Sequence, residues 1–126
     1  MIQAFVDKFM EAKPALGERL VRELNTGYDF DYEKLVRAVV ESIGEPLDPE
    51  RIQEINWGDY QGTVFYVIGA TGYQPHEFWT VKIDYGSCSH CDTLEGIRSD
   101  HREGSDEQKR QLLELALHVV QGLKAA

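Results

Sequence analysis

Over the first 44 residues the hydrophobic positions recur at helical spacing. Ile2, Phe5, Val6, Phe9 and Met10 fall on one helical face. Pro14 interrupts that pattern and is placed in the first turn of a second helix, Pro14 to Leu24, with Leu16, Leu20, Val21 and Leu24 on one side. Asn25-Thr26-Gly27 reads as its end, with Gly27 as a left-handed cap. A further helix is predicted from about Tyr32 to Ile43, carrying Leu35, Val36, Val39, Val40 and Ile43 as a stripe. Asp31 precedes it as the N-cap, because its carboxylate can accept a free amide of the first turn. Gly44 and Pro46 end it.

The period then changes from helical to alternating. Thr63 to Ile68 is a run of β-branched and aromatic residues. From Glu77 to Tyr85 the residues alternate, with Trp79, Val81, Ile83 and Tyr85 on one side and Phe78, Thr80, Lys82 and Asp84 on the other. That is the pattern of a half-buried strand, and the two runs form an antiparallel hairpin around a turn at Ala70 to Pro75. Arg51 to Trp57 fits a third strand or a short helix, the strand being preferred.

Further on, Ser87 or Ser89 is placed as the cap of a short helix through Leu94 and Ile97, with a polar loop over Ser99 to Gly104. Ser105-Asp106-Glu107-Gln108 is a capping box that opens a strong final helix, with Gln108 expected to reach back to the cap amide. Leu112, Leu113, Ala116, Val119, Val120 and Leu123 give that helix a broad apolar face. The expected fold is α+β: a small antiparallel sheet of two or three strands, over about residues 51–85, packed against N- and C-terminal helices. One domain spans 1–126, helical over 1–44, a β-meander with a cysteine pair over 45–104, and a helix over 105–126. The 42% apolar and 28% charged residues fit a globular chain of this size, not a disordered one. No segment reaches the roughly 18 apolar residues a membrane span needs. Asp7 and Lys8 break the N-terminal apolar run, so it is unlike a signal peptide and the expected location is the cytoplasm.

Charge then narrows the function classes. The net charge is −9, which argues against a general binder of nucleic-acid backbones. The excess is local. Residues 45–104 hold eleven acids and four bases, a net of −7, together with His76, His90, His101 and both cysteines.

The densest chemistry is Asp84-Tyr85-Gly86-Ser87-Cys88-Ser89-His90-Cys91-Asp92-Thr93-Leu94. A tight turn could direct Cys88 and Cys91 at one zinc ion, with His90 as a further ligand, and His76, His101, Asp92 and Asp59 as other donors. A zinc ribbon would carry a second cysteine pair, and this chain has only two cysteines. The same pair could be redox-active at a helix start, but a thioredoxin-like site needs a βαβ context. It could also be two small apolar side chains packed in a turn. Trp57, Tyr60, Phe65, Tyr66, Tyr73, Phe78, Trp79 and Tyr85 crowd the same region, most of them expected beneath the sheet. Any left on the surface would make good anchors for a protein partner. His118 is placed on the final helix. No P-loop, dinucleotide-binding glycine pattern or HExxH motif occurs.

Asp59-Tyr60-Gln61-Gly62, a hairpin, and then Tyr85-Gly86-Ser87-Cys88-Ser89-His90-Cys91-Asp92-Thr93-Leu94 resembles a group of small proteins encoded by phages and prophages. Those carry a Tyr-Gly-Ser-Cys-Ser-x-Cys-Asp stretch, often with Gly where this chain has His90. The resemblance covers about residues 52–97. It implies a phage-associated setting and marks Asp59, Tyr60, Gln61, Cys88, Cys91 and Asp92 for testing.

Three functions follow as expectations. The first is a small acidic accessory protein that binds, and thereby blocks, a host protein with a basic surface, in the host cytoplasm. Asp59, Tyr60, Gln61, Tyr85 and Asp92 would be its contact residues, and acidic mimicry of DNA is one form of it. The second is a metal-site protein with zinc on Cys88, Cys91 and His90. The third is a small hydrolase or nucleotide-acting enzyme using the Cys88–Asp92 segment, where a helix start can hold an anion. Elemental analysis separates the second from the others: it requires about one zinc per chain, lost on Cys88→Ser.

Overall fold

The computed structural model describes residues 2–26, 30–56, 63–71, 77–84, 93–100 and 102–125. In chain order the elements are α1 (Ile2–Thr26), α2 (Tyr32–Ile43), β1 (Leu47–Asn56), β2 (Thr63–Ala70), β3 (Phe78–Asp84), α3 (Thr93–Asp100), α4 (Asp106–Gln121) and β4 (Lys124–Ala125). The fold is α+β, as expected, but the antiparallel sheet has four strands in the order β1-β2-β3-β4.

The N-terminal region differs from its sequence reading. Pro14 lies inside one continuous helix instead of opening a second. Proline removes one backbone donor and crowds the preceding turn, which normally kinks or ends a helix. Here the ring is exposed, while Phe5, Phe9, Leu16, Leu20 and Leu24 stay buried along one unbroken face. Packing of that face outweighs the local cost at Pro14. The proposed cap Gly27 lies outside the described residues.

α2 forms as its pattern predicts. Asp31 caps it, Oδ1 accepting from the Lys34 amide at 3.0 Å. Gly44 ends it with φ 78°, a left-handed conformation that favours glycine. The chain then enters β1 directly. Its register against β2 shifts between Leu47 and Ile52. Pro49, which cannot donate to a ladder, sits within that irregularity on an outer strand.

The strand pairing explains which sheet face is covered. Val64 faces Ile83, Tyr66 faces Val81 and Ile68 faces Trp79, and all six side chains are buried. α2 packs on β1 and α4 on β3, while the Phe5 ring meets Trp79 edge-on at 5.9 Å between centroids. On the other face Phe65 and Val67 are half-buried, and Ile55 and Phe78 are each 40% exposed. Of the aromatics expected mostly beneath the sheet, Tyr66 and Trp79 lie there, whereas Phe65 and Phe78 lie on the opposite face, Phe78 on the side that the alternation gave it. Trp57, Tyr60, Tyr73 and Tyr85 lie outside the described residues.

α3 is described from Thr93, the proposed caps Ser87 and Ser89 lie outside the described residues, and the helix runs on to Asp100 where a loop was expected. β4 was not expected. Its two residues pair with Trp79 and Thr80.

α1 and α4 run antiparallel, and their close approach depends on Gly17. A Cβ there would come within 3.1 Å of Leu113 Cδ1 and 3.2 Å of the Lys109 side chain. Half of the expected capping box forms: Ser105 Oγ accepts from the Gln108 amide at 3.1 Å. The Gln108 side chain does not return to the cap amide, which donates to the Arg102 carbonyl instead. Gln108 is fully buried. Its Oε1 accepts from Asn25 Nδ2 on α1 and from the Gly104 amide, both at 2.9 Å, and its Nε2 donates to Ile97 O on α3 at 3.4 Å. One amide side chain thereby joins α1, α3, the turn before α4 and α4 itself. Gln108→Ala leaves the Asn25 and Gly104 donors without that acceptor and opens a cavity. The expected loss is about 2–4 kcal/mol of unfolding free energy, measurable by urea denaturation.

Candidate functional site at one end of the sheet

Four chain ends meet at one end of the sheet. β1 finishes at Asn56, paired with Val64; β2 begins at Thr63, paired with Asp84, where β3 finishes. The fourth end is the start of α3 at Thr93, whose position is fixed by a contact with α2. The buried Leu94 amide donates to the Tyr32 hydroxyl at 3.0 Å. Arg98, one turn further on, donates to the Phe30 carbonyl at 2.9 Å. α2 and α3 therefore start side by side.

The sequence-selected residues attach to these ends. Asp59, Tyr60 and Gln61 belong to the connection from β1 to β2. Tyr85, Cys88, His90, Cys91 and Asp92 belong to the connection from β3 to α3. All eight lie outside the described residues, as do His76 and His101. His118 is exposed on α4. Among the described residues, no group of three or more His, Cys, Asp or Glu could hold a metal ion.

The described side chains near this end form an acidic set that sequence reasoning missed. Across from Tyr66 on β2 stands Glu54 on β1. Register places Glu54 on the helix-covered face, in line with Ile52, yet it lies at the outer strand and stays exposed. The buried Tyr66 hydroxyl donates to Glu54 Oε1 at 2.7 Å. Burial raises the Tyr66 pKa above the ordinary tyrosine range, and the Glu54 hydrogen bond and charge add to it, followed by the charges of Asp31 and Glu33 at the start of α2. Tyr66 is thus a neutral donor among three carboxylates. A charged residue breaking the inward apolar positions of a strand was the available signal. It pointed nowhere until the register supplied Tyr66.

Chemically this end favours cations and basic groups. The Leu94 amide is already donated to Tyr32 and is not open to an anion.

Comparison of the chain with protein families, with curated proteins and with solved structures finds no match.

The Tyr66 environment predicts a pH dependence. Above about pH 10, an ordinary tyrosine pKa, the unfolded chain releases the phenolic proton while the folded chain keeps it. The folded state then binds more protons, so stability falls as pH rises. Tyr66→Phe removes this contribution. Between pH 10 and 11 its unfolding free energy should fall less steeply than that of the parent chain, by up to about 1.4 kcal/mol per pH unit. Equal slopes for the two proteins would contradict the assignment.

Proposed function

We propose that the protein is a small acidic binding protein that docks a basic face of another protein. In keeping with its phage-like motif, that partner is a host protein whose activity is blocked by the contact. The observation that carries this reading is the charge on the α2–β1 side. Residues 31–56 hold seven acids and three bases, a net of −4. Among those bases, Arg37 engages Glu33 and the Pro49 carbonyl, and Arg51 engages Asp48. Glu45, Glu50 and Glu54 are exposed and form no ion pair among the described residues. Such a patch steers a basic surface and fixes its orientation more than it adds affinity.

β1 also forms an outer edge of the sheet, with Gln53 and Ile55 exposed beside the acids. Asp59, Tyr60, Gln61, Tyr85 and Asp92 extend the contact in this proposal, since their segments attach at the same sheet end. The metal and enzyme readings rest on Cys88, His90, Cys91 and Asp92, and the described residues add nothing to either.

The test is capture from a bacterial lysate by the immobilised chain and by Glu45→Gln/Glu50→Gln/Glu54→Gln. The parent chain should retain a partner at about 50 mM salt and release it by about 300 mM, where screening is much shorter in range. The triple variant should hold the same partner roughly tenfold more weakly. Capture that is indifferent to both salt and the substitutions would refute an acidic docking face.

A further inference from the structure

We propose that the α1–α4 face, on its own account, is a self-association surface that pairs two copies of this chain about a two-fold axis. A groove of about 510 Å³ runs between the two helices. Phe9, Met10, Leu113 and Leu117 form its floor, and Met10 is 51% exposed, the most exposed large apolar side chain among the described residues.

The charge of this face selects the occupant. The chain carries −9, so most pairings of two copies are opposed by repulsion. α1 and α4 together hold seven acids and six bases, so this face is nearly neutral. Its rim is also self-complementary. Lys109 pairs with Glu18, and Arg110 bridges Glu107 and Glu114, each at 2.7 Å. Two rim charges make no ion pair among the described residues: Lys13 on α1 and Asp106 at the start of α4. In an isologous contact, residue i of one copy meets residue j of the other, and j meets i. A two-fold axis between Lys13 and Asp106 therefore sets each cation against the other copy's anion, twice, with Met10 one turn from Lys13 inside the same groove. A basic partner would meet Lys13, Lys109 and Arg110, and an acidic one Asp106 and Glu114. A second copy satisfies both walls.

Sedimentation velocity from about 5 to 500 µM tests this; the upper limit reaches weak contacts of two-helix size. The parent chain should pass from monomer to dimer within that range. Met10→Glu, at an exposed site, should stay folded by circular dichroism and remain monomeric. Lys13→Glu sets two acids together and should weaken the dimer about tenfold or more. Lys13→Glu/Asp106→Lys should restore it. A parent chain that is monomeric throughout overturns the proposal, including the case in which the groove binds some other protein. So does a dimer indifferent to Met10→Glu, or one that Lys13→Glu leaves unchanged. None of these variants touches the α2–β1 acids, so this result and the salt-sensitive capture of a basic partner are read separately.

Discussion

A sheet whose strands alternate apolar and polar positions has one face to bury, and this molecule is organised around burying it. The pairs Val64–Ile83, Tyr66–Val81 and Ile68–Trp79 present a continuous apolar surface that β2 and β3 could not keep in water. α2 and α4 cover it, and Phe5 brings α1 onto Trp79. The helices also bury one another, which is why α1 stays continuous through Pro14. Ending it there would detach Phe5 and Phe9 from the layer that Leu16, Leu20 and Leu24 join.

One-sided covering separates the surface into regions of different character. The α2–β1 side carries a net of −4 and leads to the sheet end where the cysteine-bearing segment attaches. The α1–α4 side is nearly neutral and apolar at its centre. The outer face of the sheet shows Ile55 and Phe78. A chain read from its total charge looks uniformly acidic, but folding sorts the charge by element.

Much of the architecture was legible because it depends on local rules. Asp31 and Ser105 are caps whose side-chain oxygens bond to the amide three residues on, and both do so. The alternation from Phe78 to Asp84 fixed which residues of β3 face inward. What stayed hidden depends on partners distant in sequence. Pro14 is tolerated because of packing against α4. Gln108 satisfies a capping-box pattern, but its side chain finds Asn25 and Gly104, the first 83 residues away. β4 is two residues with no pattern of their own, made a strand by β3. For the candidate site, the sequence singled out the segments that attach at one sheet end. Glu54 and Tyr66 escaped notice because only the β1–β2 register joins them.

The hydrogen bonds of Gln108 carry a consequence for how the molecule opens. Gly104 is exposed in a turn, and the amide of such a residue ordinarily exchanges its hydrogen with solvent through small local fluctuations. This amide is held by an acceptor that solvent does not reach. Releasing it takes one of two donors from the buried Gln108 Oε1, a loss that opposes local opening of the turn. A surface glycine amide is thereby protected beyond what its exposure alone would give.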